Sequence, residues 1–448
     1  MRSHGPLVTP EAGLRTLRLP PRPPAAPDAR TNALVTVLCL YVLVDIGRVH
    51  LLLRVLEPLH PAVLIAGAAI VLCAFSRNLG PALRGLQHPA VYCVLGLMGW
   101  AALSVPGSLY PGGSFRFLAG EYAKTILMAL VMAVGVRGVR DVERLLMAFF
   151  LAAAIYAVVV LSRFDIAPGE RLAELYTYDA NDLALFLVCA VPFGLFLFLR
   201  NAGWLRRGLA VGALVTLAAV IVRTGSRGGF LALVAVMLVT VATWTFVKVR
   251  WRALSAAAGL VIFLASANAG YWGLMSNLLN LSNDYNVTSV GGRIQVWKRG
   301  LGYMSGHPIL GVGINAFPAA EGRLAGVANL PGGRGFKWSV AHNSLVQVGA
   351  ELGVPGLVMF CAFLWQLFRT AWRLSQRDRS GQFALPPPGA ALAAVLLTSL
   401  VGFFVAAFFL SQAYGSVLYF LAAMVLGLRQ LAVRARQAPP PAPRWARQ

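Results

Sequence analysis

Charge is what this sequence has least of. Asp, Glu, Lys and Arg make up 12% of the 448 residues, and only 16 of them are acidic; a soluble globular domain carries roughly 25% charge. An ordinary water-soluble fold is therefore excluded. Cysteine is scarce as well: Cys39, Cys73, Cys93, Cys189 and Cys361 all fall inside apolar runs, and none has metal-ligand spacing. An odd set of this kind reads as small apolar side chains, without a disulfide framework. The outer loops hold no D-x-D pair, "DAND" at 179–182 coming nearest, which makes metal dependence the weaker reading, and no cofactor is expected. Residues 1–31, rich in Pro and Arg, lack the compact apolar core of a signal peptide and read as a flexible cytoplasmic segment.

What is present is oil. Hydrophobic residues make up 58% of the chain and the mean hydropathy is +0.70. Apolar runs lie near 33–53, 60–76, 88–105, 116–136, 142–162, 182–199, 205–222, 227–247, 253–270, 343–368, 389–410 and 411–428. Several reach the ~20 residues that cross a bilayer as a helix. None alternates as a barrel strand would, and lipid forces backbone groups to bond internally. The expected fold is all-α: a polytopic membrane protein with about twelve transmembrane helices. The last two runs are short and nearly contiguous, so a tight hairpin and a re-entrant pair both stay open.

The formal net charge of +23 has a topological reading. With the N-terminus inside, every short inner loop is basic, and the inner segments hold most of the 39 Lys and Arg. This distribution places both termini in the cytoplasm and makes nucleic acid an unneeded partner.

Residues 1–31 thus precede spans one to nine (32–270), a large outer loop (271–341) carrying short helices, spans ten to twelve (342–428), and a Pro/Arg-rich cytoplasmic tail (429–448). A loop of about seventy residues is too long for a connector, and long loops on a rigid scaffold commonly carry function. Within it, 290–313 reads as a glycine break and a short amphipathic helix with Arg293 and Trp297 on one face, followed by a Gly-rich turn.

Cations also collect on the outer side, where they are usually thinned: Arg223, Arg227, Arg293, Lys298, Arg299, Arg323, Arg334 and Lys337. Pairing with the outer acids, or plain solvation, accounts for any one of them. Arg227 is harder to dismiss, because it opens a span and two glycines follow it, allowing close approach. Its guanidinium fork suits a phosphate, and together with Arg293 it can hold a diphosphate. His342, at the lip of a span, reads either as an interfacial side chain or as a general base, with Asn343 beside it. Trp338 either stacks on a sugar or anchors the interface. Glu351 lies about two and a half turns deeper, near the opposite face, and reads as structural pairing within the bundle rather than as a partner of His342. Glu121 and Lys124, three apart on one helix face, can pair with each other.

"SRGG" at 226–229, "GGRIQVWKRGLGYMSGHPILGVGINAF" at 291–317 and "AHNSLVQVGAELGVPGL" at 341–357 resemble, in that order, the O-antigen ligase and polymerase superfamily of bacterial envelope enzymes. The resemblance covers roughly 180–430. It puts the family's His-Asn pair on His342 and Asn343, its span-mouth arginine on Arg227, and its loop arginine on Arg293. "YDANDLA" at 178–184 places Asn181 and Asp182 near the site. The resemblance implies a ligase of the inner membrane, active at the periplasmic face. It would move polysaccharide from undecaprenyl diphosphate to the lipid A–core oligosaccharide, with neither nucleotide sugar nor metal. His342 would be the base and Arg227 and Arg293 the diphosphate clamp, supported by Arg223, Lys298, Arg299 and Lys337. Rival readings are a polymerase or a protein-glycosylating relative, which differ only in acceptor, and a transporter of lipid-linked glycans.

Overall fold

In a computed structural model of the protein, the described residues are 29–52, 58–76, 79–163, 172, 178–199, 203–266, 289, 292–324, 339–377 and 381–437. Lys337, Trp338, Arg334 and most of the 163–181 segment lie outside them. Among the described residues there is no strand, and every one of the twelve apolar runs is helical.

The helices are α1 (Ala29–Tyr41), α2 (Pro61–Ala74), α3 (Leu79–Gly85), α4 (Pro89–Ser104), α5 (Pro111–Phe117), α6 (Ala123–Gly135), α7 (Val139–Arg163) and α8 (Ala180–Leu199). They continue with α9 (Trp204–Arg223), α10 (Arg227–Thr243), α11 (Val249–Ser266), α12 (Arg293–Gly306), α13 (Phe317–Leu324), α14 (Ser344–Ser375), α15 (Pro387–Ala407) and α16 (Ser416–Gln437). Proline occupies the first turn of α2, α4, α5 and α15, where its missing N–H and fixed φ cost nothing.

Among the described residues, seven helices are long and apolar enough to cross a membrane, or eight if a bent pair is one span: α5 joined to α6 as Pro111–Gly135, then α7, α8, α9, α14, α15 and α16. Three of the other runs are shorter apolar helices, Ala33–Ile46, Pro89–Ser104 and Arg227–Thr243, and α2 forms one arm of a pair bent by 102° with α3. The remaining run, α11, begins with two arginines in "VRWR". Run length in a sequence does not count the residues lost to breaks and polar ends, so apolar runs outnumber full spans.

The last pair is corrected. α15 and α16, of 21 and 22 residues, are both full-length, and the turn 408–415 joins them. α16 continues to Gln437, past the expected boundary at 428, and Leu428, Gln430 and Ala432 are buried along this extension.

α15 lies at the centre, against α8, α10, α14 and α16. In its most apolar window 83% of residues are buried, against 28% in α9, which marks α9 as peripheral. Aromatic rings fill the middle: Phe149 of α7 lies 5.1 Å from Phe186 of α8 and 4.9 Å from Phe420 of α16. Such pairs contribute beyond their buried area.

Charges inside the bundle are matched. A π-helical turn after α1, Val42–Ile46, carries Asp45, and another between α5 and α6, Leu118–Tyr122, carries Glu121. Lys124 reaches both, at 3.4 and 3.5 Å, and the Tyr41 hydroxyl donates to Asp45 at 2.9 Å. The Glu121–Lys124 pair was legible in the sequence; Asp45 joins it only through the fold.

The feature that ties the 292–324 region to the bundle is a break in α14. Gly353 adopts φ 68° and ψ −171°, two residues before Pro355. A Cβ there would meet the Ile309 carbonyl at 2.4 Å, so neither the backbone angle nor the space admits another residue. The break frees three carbonyls, and the incoming segment 307–317 and α4 supply donors for them. Val312 N–H donates to the Ala350 carbonyl (2.9 Å), Gly313 N–H to Glu351 (3.0 Å), and the Trp100 indole to Leu352 (3.0 Å). In return Val354 N–H donates to the Pro308 carbonyl at 2.8 Å.

Glu351 completes the seam. Only 1% exposed, its carboxylate accepts the amides of Asn315 (3.0 Å) and Phe317 (3.2 Å) at the start of α13. A buried carboxylate at a helix N-terminus is stabilised by the N–H groups and by the dipole. Removing it strands two buried donors, at about 1–3 kcal/mol each. Thermal unfolding in detergent is therefore expected to rank wild type above Glu351→Gln and Glu351→Gln above Glu351→Ala, the last losing about 2–4 kcal/mol. An unchanged melting temperature for Glu351→Ala would refute this role.

Candidate functional site

The starts of four helices meet at the turn 408–415, which itself joins α15 to α16. Phe408 and Phe409 pack against Trp297, one turn into α12, at ring separations of 5.6 and 6.3 Å. Phe409 also fills the space beside Gly228 of α10, where a Cβ would come within 3.2 Å. The Leu410 carbonyl accepts the Ser344 hydroxyl of α14 at 2.7 Å. Ser411 accepts the His342 amide at 2.9 Å, and Gln412 donates to Asp182 of α8 at 2.9 Å. Consecutive turn residues thus gather the starts of α8, α10, α12 and α14, and with them the neighbourhoods of Asp182, Arg227, Arg293 and His342.

Each start has a local reason. Ser226 caps α10, accepting the Gly229 amide at 3.1 Å. Asn343 caps α14, its Oδ1 accepting the amides of Leu345 (2.9 Å) and Val346 (3.1 Å). Asp179 precedes α8 and accepts from both the backbone and side-chain nitrogens of Asn181, at 2.7 and 2.8 Å. Asn343, 3% exposed, has its carboxamide oxygen engaged by the helix, so its evident work is to start α14 directly after His342.

His342 has φ 49°, the left-handed region, which costs a non-glycine residue about 1–3 kcal/mol. The Ser411 contact, the Asn343 cap and buried Ala341 hold it there. Such strain is retained where the surroundings over-determine it, commonly at functional sites. The side chain is half-buried.

The electrostatics point the same way. Arg227 and Arg293 are the first residues of α10 and α12. A helix N-terminus carries a partial positive charge, so a cation there is disfavoured by about 0.3–1 kcal/mol. The same place favours an anion, which the free N–H groups and the dipole both attract. Both arginines are half-buried and have neighbours of their own.

The supporting cations divide. Arg223 and Lys298 are exposed. Arg299 is committed elsewhere: its Nε and Nη2 donate to Glu321 at 2.8 and 2.6 Å, and the Tyr303 hydroxyl donates to the same carboxylate at 2.7 Å. Glu321 is 1% exposed; its hydrogen bond pushes the Arg299 guanidinium further up, and burial followed by the same carboxylate pushes the Tyr303 phenol up. Arg323 donates to the Leu109 carbonyl. Both brace α12 and α13. Lys337 and Trp338 lie outside the described residues. Among the described residues no three His, Cys, Asp or Glu side chains come together as metal ligands.

Sequence reasoning missed the turn itself. Within "FFLSQAYG" at 408–415 only Ser411 and Gln412 are polar, and that small break in hydropathy was the available signal. It also missed an apolar groove beginning at Phe230, one turn beyond Arg227. This groove, about 260 Å³ in volume, runs between α10 and α11 past Leu233, Met237 and Phe263. A second hollow of about 200 Å³ shares Leu233, Met237 and Gly259 and extends to α8 and α9.

The family described as O-Antigen ligase matches residues 211–361, about a third of the chain. The match contains Arg223, Arg227, Arg293, Lys298, Arg299, His342 and Asn343, and leaves out Asn181, Asp182 and the 408–415 turn. No curated protein matches the chain.

Removing the Arg299 side chain leaves a buried carboxylate unpaired, at about 3–5 kcal/mol. Arg299→Ala is expected to lower the thermal unfolding temperature markedly, whereas Lys298→Ala, next to it and exposed, leaves it unchanged. Equal melting temperatures for the two variants would exclude the bracing role.

Proposed function

We propose the following function for this multi-pass membrane protein, whose residues 211–361 belong to the O-antigen ligase family. It is an O-antigen ligase that transfers polysaccharide from undecaprenyl diphosphate to the lipid A–core oligosaccharide. The reaction takes place at the periplasmic face of the bacterial inner membrane, with both chain termini in the cytoplasm. The observation that carries the reading is the gathering, around one turn, of two arginines that open helices and a histidine held in left-handed backbone.

His342 takes the proton from an acceptor hydroxyl as its oxygen attacks the anomeric carbon of the donor glycan. The new glycosidic bond forms as the bond to the diphosphate oxygen breaks from the opposite face, so the anomeric centre inverts. Both electrons of that bond leave with undecaprenyl diphosphate, whose growing charge meets Arg227, Arg293 and the N-termini of α10 and α12. The proton held by His342 then passes to solvent. Arg223 and Lys298 add to the positive field, and Asp182 and Asn181 border the site from α8. No metal or cofactor takes part in these steps. The groove that starts one turn from Arg227 offers apolar surface for part of the donor's lipid chain.

A transporter is the weaker reading. Asp45, Glu121 and Lys124 pair with one another, and Glu351 is held by backbone amides. The bundle's charges are engaged in internal contacts, whereas transporters keep theirs at a midplane substrate site.

The test combines purified protein in detergent with undecaprenyl-diphosphate-linked glycan and lipid A–core, in the presence of a chelator, and follows glycan-bearing lipid A on a gel. Wild type is expected to form product and His342→Ala to lose about 10²–10⁴-fold in rate. Undiminished turnover by His342→Ala would remove it as the base. Product from a second lipid-linked glycan, but not from lipid A–core, would make the protein a polymerase.

A further inference from the structure

A second cluster of cations lies at the far end of α16. Arg429 and Arg434 sit about 20–27 Å along the helix axis from its first residue, at 1.5 Å per residue, and so on the face opposite the 408–415 turn. Both are half-buried. Arg429 Nη1 donates to the Gly85 carbonyl at the end of α3 (3.0 Å), and Arg434 Nη2 donates to Gln430 Oε1 (3.2 Å). Arg137, just after α6, is within electrostatic reach of Arg434, and Arg429 is within reach of His88. The His88 ring is already engaged with the Ala90 amide and Thr370.

Like charges have been brought together here. Among the described residues neither Arg429 nor Arg434 has a carboxylate partner. The nearby Asp141 carboxylate accepts the backbone amides of Arg137 and Gly138, both at 3.0 Å.

Two further observations point to a ligand. Gln430, fully buried, lies 3.0 Å from the position of a Cβ on Gly85, and its Nε2 has no acceptor. Buried donors are rarely left so. Phe75, 74% exposed, precedes Ser76, to which Arg137 donates, and Leu83, 50% exposed, precedes Gly85 by two residues. Apolar side chains therefore stand beside residues that bond these arginines.

We propose that Arg429, Arg434 and Gln430, with Arg137, bind the phosphate of an anionic phospholipid headgroup on the face opposite the 408–415 turn. Guanidinium forks and a carboxamide N–H are donors that suit phosphate oxygens. Basic pockets between spanning helices at a membrane surface take such headgroups. Phe75 and Leu83 favour a lipid over free phosphate, since they offer the acyl chains a surface. The site is independent of the ligase reading.

The full-length protein in detergent is titrated with dioleoylphosphatidylglycerol, with dioleoylphosphatidylcholine, and separately with inorganic phosphate, and bound lipid is counted by native mass spectrometry. Phosphatidylglycerol is expected to be retained over phosphatidylcholine. Arg434→Gln is expected to weaken its retention about fivefold and Arg429→Gln/Arg434→Gln by more. Arg436→Gln, at an exposed position on the same turn, should leave it unchanged. Should the double variant fail to fold, Arg434→Gln decides alone, because its guanidinium bonds only its own helix. Equal retention of the two lipids overturns the proposal, as does an equal loss in Arg436→Gln, which would mark diffuse surface charge. Full displacement of the lipid by inorganic phosphate overturns the assignment to a lipid.

Discussion

The arrangement of the outer helices depends on one local failure of helical geometry. At Gly353 the backbone of α14 leaves the helix, and three carbonyls that a helix would have used are exposed. Segment 307–317 is held in place largely by what that break offers. It donates two amides to the carbonyls, returns a carbonyl to Val354, and surrenders two more amides to the Glu351 side chain. Because α12 ends where this segment begins, its position over the bundle is set by the same bonds, and Arg293 and Trp297 with it. A helix continuous through residue 353 would leave the segment without partners, and buried backbone polar groups rarely go unpaired.

A second constraint is the opposition between arginine and the helix dipole. Arg227 and Arg293 each stand where a carboxylate would be stabilising. The molecule does place acids that way elsewhere: Asp182 is in the first turn of α8, and Glu351 meets the start of α13. Arginines also open α9 and α11, but only Arg227 and Arg293 start helices whose first turns pack at the 408–415 turn. The aromatic packing around α7, α8, α15 and α16 contributes nothing to that chemistry directly, yet it fixes the ends of α15 and α16 and so the turn on which the arginine-bearing helices converge.

How much of this was readable in the residues depends on the range of the interaction. The apolar runs identified the helices, because hydropathy is local. The Arg293–Trp297 helix and the Glu121–Lys124 pair were legible because both lie within one turn. The structural use of Glu351 was legible only in outline: its burial was plain, but its partners are amides 34 and 36 residues away. Arg299 read as one more outer cation, because nothing local shows that Glu321 is folded against it. The 408–415 turn read only as the joint of a tight hairpin or of a re-entrant pair, because its importance lies in what surrounds it. Seven of the twelve apolar runs hold helices of full spanning length among the described residues; an early end, as at Ile46, or an arginine-bearing start, as in α11, shortens a helix without shortening its apolar run.

The brevity of α10 has a further consequence for the lipid around it. Its 17 residues rise about 25 Å, while a bilayer's hydrocarbon core is about 30 Å thick. Lipid beside a short helix thins to meet it, at a fraction of a kcal/mol per Å. With α10 across the bilayer, such thinning draws the water boundary inward beside Arg227, its first residue. On the function proposed above, a phosphate carried on a membrane-embedded chain would meet that arginine without being lifted from the bilayer, and hydrophobic mismatch itself would lower the work of presenting a lipid-linked substrate.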